Sequence, residues 1–494
     1  MNTTPWDTLQ SRTRELQTLT SLMGVLHWEQ QVTMPSGGNT VRGEQLALLA
    51  TLRHARLSDP ALGDLIAQAA ESDMALHRAA ARNLARDHKR AAKLPASLVD
   101  RTSRATTAAF PAWAKAKQDN DWASFEPHLQ RVVDLTQESV AILAEPGQDP
   151  YDVLLEAHDP GSTAANLDPM FERLEQGTKA FLAKLDGRPH PATLQGPFPV
   201  AGQKRLHAQI ASAIGFDLSE RGRLDEAEHP FSAGFHPHDV RITTHYYEND
   251  LLSGLGGTVH EAGHGMYEQG LPTELWGTGA GDAASYGLHE SQSRFWENFI
   301  GRSLPFSNWL APQARELLGL DMTGAQIFQA ANRVEPSLIR VFADEVTYNL
   351  HVVLRYRLER QLFSGALAVR DLPQAWDGAM QSALGLTPPT VADGALQDVH
   401  WCSGAFGYFP SYTLGNLYAA SLGVALEAAM PDLWDRVEAG DFAPILAWLR
   451  THVHRHGHLM DAPEIVEAAC GGPRDMVADL LAHFERRQGP VYSL

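Results

Sequence analysis

His260-Glu261-Ala262-Gly263-His264 carries two histidines four residues apart, and 3.6 residues per helical turn bring positions i and i+4 onto one face. Two imidazole nitrogens so placed reach one metal ion, at zinc–nitrogen distances of roughly 2.0–2.1 Å. Glu261 follows the first histidine directly, close enough to serve a water at that ion rather than ligate it. The alternative is an ordinary surface helix with two stray histidines, so the surroundings must decide.

Working outward, Leu252, Leu255, Val259, Ala262 and Met266 recur at spacings of three and four and predict a helix over about 250–268. Both histidines lie off that apolar stripe. Gly270 followed by Leu271-Pro272 supplies the stop. Gly256-Gly257 costs about 1 kcal/mol per glycine against alanine, which points to close approach of another backbone.

The third ligand follows from what the motif lacks. An extended H-x-x-G-x-x-H motif needs Gly at 267 and His at 270, where this chain has Tyr267 and Gly270. The other common arrangement takes a glutamate from a later helix. His289-Glu290-Ser291 opens a stretch with Leu288, Phe295 and Phe299 at helical spacing, so Glu290 is the expected ligand and Glu297 the second choice. Two His and one Glu leave a fourth position open, as catalytic rather than structural zinc sites do. An ion so held lowers the pKa of its water to about 7, and Glu261 is placed to accept that proton and pass it to a leaving amine. Hydrolysis is the chemistry implied; the rival of another class is a non-catalytic metal-binding scaffold.

Upstream, Asp239-Val240-Arg241-Ile242-Thr243-Thr244-His245-Tyr246-Tyr247 is β-branched and aromatic and reads as a strand. Its edge is a candidate for pairing with an extended peptide, with a buried strand as the alternative. The first 140 residues read as long helices, with Leu16, Leu19, Met23 and Leu26 at helical spacing and a break at Met34-Pro35-Ser36-Gly37-Gly38. Residues 78–93 are rich in Arg and Lys and read as a solvated face ended by Pro95, rather than as a nucleic-acid helix. Ser162 or Thr163 caps a helix through Phe171, Leu174 and Phe181. Gly279-x-Gly281-x-x-Ala284 resembles a dinucleotide loop, but no strand precedes it and plain loop is the reading. No internal repeat and no boundary between independent domains is visible.

Composition narrows the partners. The 494 residues carry 40 Lys+Arg against 59 Asp+Glu, a net charge of −19 that argues against nucleic acid and anionic membrane. The only cysteines, Cys402 and Cys470, make no disulfide framework. Met1-Asn2-Thr3-Thr4-Pro5-Trp6-Asp7 lacks a basic stretch leading into an apolar one, and no apolar run reaches the roughly 20 residues of a membrane span. A reducing cytoplasm is the expected compartment.

Several separated motifs, in order, then carry a resemblance to the thermostable (Taq-type) zinc carboxypeptidase family. They are His229-Pro230-Phe231, Asp239-Val240-Arg241-Ile242-Thr243, the His260–His264 pentapeptide, His289-Glu290-Ser291-Gln292, Ile339-Arg340-Val341-Phe342-Ala343-Asp344 and Gly407-Tyr408-Phe409-Pro410-Ser411-Tyr412. With Trp28-Glu29 and Met34-Pro35 the likeness spans essentially the whole chain; Ser411 stands where a threonine is common. It implies a mainly α, clam-like single unit over 1–494 with a deep groove and a small β-sheet beside the metal helix. Helices of 1–140 would flank the groove, and residues 200–415 would hold the metal and substrate site. It also implies a homodimer that removes C-terminal residues from peptides with broad preference. A zinc oligopeptidase or dipeptidyl carboxypeptidase of related fold is the near rival.

By the same resemblance His260, His264 and Glu290 bind one zinc, which cobalt replaces in some members, and Glu261 is the base. Arg340 becomes the candidate for the substrate's terminal carboxylate, which a guanidinium can hold bidentately, unless it is tied to Asp344 in a structural salt bridge. Tyr412 and His229 are candidate donors to the oxyanion or substrate, or else packed core residues. Arg241 and His289 complete the substrate-binding set, unless Arg241 orients its strand and His289 orients a metal ligand.

Overall fold

A computed structural model describes residues 4–494. The start at Met1–Asp7 includes residues 1–3, which lie outside them. Helix accounts for 68% of the chain, and the described residues hold one three-stranded sheet, so the mainly α reading stands. The chain divides into two compact units. The first combines Met1–Ala92, Ala192–Ala331 and Tyr418–Met476, and the second Lys93–Pro191, Asn332–Leu417 and Val477–Leu494. Each is assembled from three separated stretches, so no single linker marks the division in the sequence.

In the first unit, the helix Pro5–Val32 starts where Thr4 and Asp7 cap each other's backbone N–H, with Pro5 in the first turn. It ends before the break read at Met34–Gly38, and Asn39–Leu57 follows. Leu9 and Leu16 pack with Leu57, Leu62 and Ile66 in a buried cluster. The basic segment is the helix Ala75–Lys93. Its residues do not all face solvent: Arg86 donates through Nη1 and Nη2 to Asp461 at 3.1 and 3.3 Å, and Arg82 reaches the carbonyl of His458 at 3.2 Å.

The sheet consists of β1 (Gly222–Glu226), β2 (Ser232–His236) and β3 (Asp239–Thr244), in the order β1-β3-β2. β3 pairs parallel with β1 and antiparallel with β2. Of the two readings for this strand, the buried one holds: both edges of β3 are hydrogen-bonded, and Val240 and Ile242 are buried. The strand also ends earlier than read, at Thr244. Beyond it the backbone turns to meet side chains, with Gln203 Nε2 donating to the carbonyl of Tyr247 at 2.9 Å.

β3 is fastened to the helix Leu251–Gly270 through buried hydroxyls. Thr244 Oγ1 lies 2.7 Å from Thr258 Oγ1, which is 2.8 Å from His207 Nδ1 on the helix Val200–Ile214. Asp250 caps the metal-motif helix by accepting from the N–H of Ser253 at 3.1 Å. Leu255, Val259, Ala262 and Met266 of the predicted stripe are buried. The close backbone approach expected at Gly256-Gly257 does not occur there. A Cβ at Gly256 would meet open space and one at Gly257 only the ring of Pro230. The crowding falls at Gly263, where a Cβ would lie 2.6 Å from the carbonyl of Gln292.

In the second unit, the helix Ala164–Leu185 starts on the cap predicted at Thr163. The buried carboxylate of Glu359, on the helix Tyr348–Ser364, accepts from Tyr151 Oη at 2.6 Å, Trp401 Nε1 at 2.7 Å and the N–H of Gly407 at 2.8 Å. Those bonds hold the segment 401–407 against the unit's core.

Candidate active site

Gly263 explains how two helices supply one centre. Without a side chain there, the helix Tyr286–Arg294 comes close enough to bring Glu290 over the two histidines. His260 Nε2 and His264 Nε2 lie 3.6 and 3.2 Å from Glu290 Oε2. Ligand atoms of these three residues lie within 4.8 Å of one another, and among the described residues no other His, Cys, Asp or Glu group is so arranged. A donor set of two imidazoles and one carboxylate suits a zinc-like divalent cation.

The far side of each ring determines which nitrogen is protonated. His260 Nδ1 is 2.8 Å from Glu297 Oε2. His289 Nε2 is 2.8 Å from Glu268 Oε1, and His264 Nδ1 is 2.5 Å from His289 Nδ1. A carboxylate only accepts, so His260 donates from Nδ1 and His289 from Nε2. His289 Nδ1 is then the acceptor for His264 Nδ1–H. With a cation bound, both metal-motif histidines would then present an unprotonated Nε2 to it, as ligands require.

Charge is concentrated here and water is scarce. Glu261 is 7% exposed and Glu290 5%. Burial pushes the carboxyl of Glu261 up to about 7 against the pull of His260. Burial also disfavours charge on Glu290, but Arg294, His260 and His264 outweigh it and hold its pKa well below the usual range. Burial lowers His264 to about 3, which favours the neutral ring. The arrangement offers three ligand atoms with a carboxyl beside them whose pKa is near neutral, a base suited to work at neutral pH.

The remaining predicted residues divide between the units. His229 occupies an exposed bend between β1 and β2, next to the Pro230 that faces Gly257. Arg241 has Nε and Nη2 on Asp239 at 2.9 Å each and stacks over Trp28 and Phe235, 4.6 and 5.1 Å from their ring centres. In the second unit, Arg340 is 5% exposed within the turn Arg340–Phe342. Its Nε and Nη2 donate to Asp398 Oδ1 at 3.2 and 2.8 Å, and its Nη1 to Tyr348 Oη at 2.8 Å.

The structural salt bridge considered for Arg340 thus exists, but with Asp398 and not Asp344. Residues 340–346 are not α-helical, so Asp344 is not one turn away. Its carboxylate accepts instead from the N–H groups of Glu335, Val346 and Thr347 and from the Thr347 hydroxyl. Asp398 also takes Arg355 Nε at 2.7 Å, so two guanidiniums share one carboxylate. Tyr412 lies in this group, its Oη 3.2 Å from His400 Nε2 and its ring centre 4.9 Å from the Arg340 guanidinium.

Sequence reading missed Arg294, Glu268, Asp398 and Arg355. Two were within reach of helical spacing: Arg294 stands four residues after Glu290, and Glu268 four after His264. Asp398 and Arg355 meet Arg340 through long-range packing, which leaves no local pattern.

The Carboxypeptidase Taq (M32) metallopeptidase family model matches residues 8–487. "Thermostable carboxypeptidase 1" of Thermus thermophilus is 42% identical over 497 residues, covering 97% of each chain. Its counterpart of the same name in Pyrococcus furiosus is 35% identical and covers 96% of each. The crystal structure of the M32 carboxypeptidase from Deinococcus radiodurans R1 aligns with a TM-score of 0.95 at 35% identity, over 99% of this chain and 100% of that one. Likeness of this extent, in sequence and in fold, places this chain in the Taq-type (M32) family of metallocarboxypeptidases.

Proposed function

We propose that this carboxypeptidase releases residues from the free C-terminus of peptides with broad preference, as one catalytic unit spanning 1–494. One divalent ion per chain, zinc with cobalt as an effective substitute, is held by His260, His264 and Glu290. The convergence of those three side chains carries the reading. When bound, the ion supplies Lewis acidity and lowers the pKa of water to about 7.

Glu261 accepts the proton of the attacking water and returns it to the departing amine. Its burial and its pKa near 7 support that role. Arg340 binds the substrate's terminal carboxylate. Asp398 and Tyr348 take one N–H from each of Nη2 and Nη1, and the second N–H of each is assigned to substrate. That Arg340 shares its carboxylate partner with a second guanidinium, Arg355, supports an anionic ligand. Tyr412 and His229 are the candidate donors to the oxyanion or substrate. His289 orients His264. Arg241, with its fork on Asp239, orients β3.

Family likeness supports a homodimer. Cys402 and Cys470, neither in a disulfide, support a reducing, cytoplasmic setting. No helix among the described residues is long and apolar enough to cross a membrane. Mass-spectrometric product analysis of one peptide with free and amidated C-termini, with and without chelator, tests the reading. Stepwise loss of terminal residues from the free peptide alone, abolished by chelator, is expected. Equal cleavage of the amidated peptide would replace it with an oligopeptidase reading.

A further inference from the structure

We propose that Arg294 is a positioning residue that keeps Glu290 a one-oxygen ligand of the metal. The inference rests on the ligand set of the preceding section and concerns how one of those ligands is held. Arg294 Nε donates to Glu290 Oε1 at 2.7 Å. The other oxygen, Oε2, faces His264 Nε2 and His260 Nε2. The hydroxyl of Ser293 lies 2.6 Å from the carbonyl of Glu290 and 3.1 Å from Oε2, and its single proton belongs to the nearer acceptor. The two oxygens of Glu290 are therefore unequal: a half-buried guanidinium holds one, and the other is turned to the two imidazoles.

The same guanidinium reaches a second ligand indirectly. Arg294 Nη1 donates at 3.1 Å to Glu297 Oε2, the atom that accepts from His260 Nδ1. Arg302 Nη2 supports the opposite oxygen of Glu297 at 3.4 Å. One side chain thus restrains Glu290 directly and His260 through Glu297.

Local backbone geometry makes this reach available. Arg294 closes the α-helix Tyr286–Arg294 one turn after Glu290, and the segment Phe295–Gly301 continues as a π-helix. A π-turn holds more residues than an α-turn, so Glu297 sits at a different angle around the axis than a continued α-helix would give it. Such turns recur at functional sites.

The consequence is chemical. With His260 and His264, one oxygen of Glu290 completes three protein ligands and leaves a fourth position for reaction. A carboxylate free of Arg294 could offer both oxygens, which would raise the coordination number by one and crowd that position. Charge-assisted bonds are about twice as strong as neutral ones, which lets the guanidinium compete for Oε1.

The test uses full-length protein loaded with Co2+, because the visible band of cobalt weakens as its coordination number rises from four to five. Arg294→Met should still take one Co2+ per chain, with a several-fold weaker visible band and activity about 10- to 100-fold lower. Arg294→Lys keeps the charge but loses the fork, and should fall between Met and wild type. A Co2+ spectrum unchanged in Arg294→Met overturns the proposal, as does a folded Arg294→Met that no longer takes cobalt. If Arg294→Met does not fold, an Arg294→Lys spectrum identical to wild type overturns it instead. Failure of the underlying ligand assignment looks different: Glu290→Ala would then bind Co2+ as tightly as wild type.

Discussion

His260 rests its Nδ1 on Glu297 Oε2 at 2.8 Å, on the side of the ring opposite the nitrogen that faces Glu290. Glu297, the second choice for third ligand, is thereby bonded to a ligand. Replacing Glu297 by Ala should weaken metal binding by about 10- to 100-fold while keeping one ion per chain. Replacing Glu290 by Ala should cost far more. Chelator-competition titrations compare the two, and the reverse ranking would exchange their roles.

Glu261→Gln preserves the size of the side chain and removes the base. Metal content should stay at one ion per chain while kcat falls by about 10²–10⁴-fold. Elemental analysis beside steady-state kinetics checks both halves. A variant that retains its rate would show that Glu261 is not the base.

Arg340→Met removes the proposed carboxylate anchor yet leaves Asp398 paired with Arg355. A hydrogen bond to a charged group is worth about 1.5–3 kcal/mol, so kcat/KM for free-ended peptides should drop by about 10- to 100-fold. Metal content should not change. An equal drop on an ester substrate lacking the terminal carboxylate would point to a structural role for Arg340.

Gly263→Ala inserts a methyl where the Gln292 carbonyl would be 2.6 Å away. Overpacking of this kind destabilises by about 1–3 kcal/mol. Because the displaced helix carries Glu290, lower thermal stability should come with weaker metal binding. Gly256→Ala, facing open space, serves as the control and should be neutral or slightly stabilising.

Acid stability should depend on Asp398. Burial raises its carboxyl, but Arg355 and Arg340 outweigh that and hold its pKa well below the usual value. A folded-state pKa below the unfolded one means the stabilisation is whole above about pH 4 and is lost as pH falls through the folded value. Asp398→Asn should lose about 3–5 kcal/mol at neutral pH and show a shallower acid decline. Denaturant melts between pH 7 and 3 read both; parallel curves for the two proteins would refute the assignment.

Much of this protein was determined by the sequence alone. Spacing of four between His260 and His264, and the stripe from Leu252 to Met266, define a helix with two imidazoles off its buried face. Those are local, periodic properties, and the helix Leu251–Gly270 follows them to within a few residues. Thr163 as a cap and the break after Met34 are legible for the same reason. The placement of β3 was not, because a β-branched run looks alike at the edge and in the middle of a sheet, and pairing partners decide which it is. The tertiary structure alone decided that Glu297 backs His260, that Gly263 and not Gly256 admits a second backbone, and that Arg340 pairs with Asp398. Each depends on which surfaces meet when distant stretches pack, and a one-dimensional pattern does not carry that information.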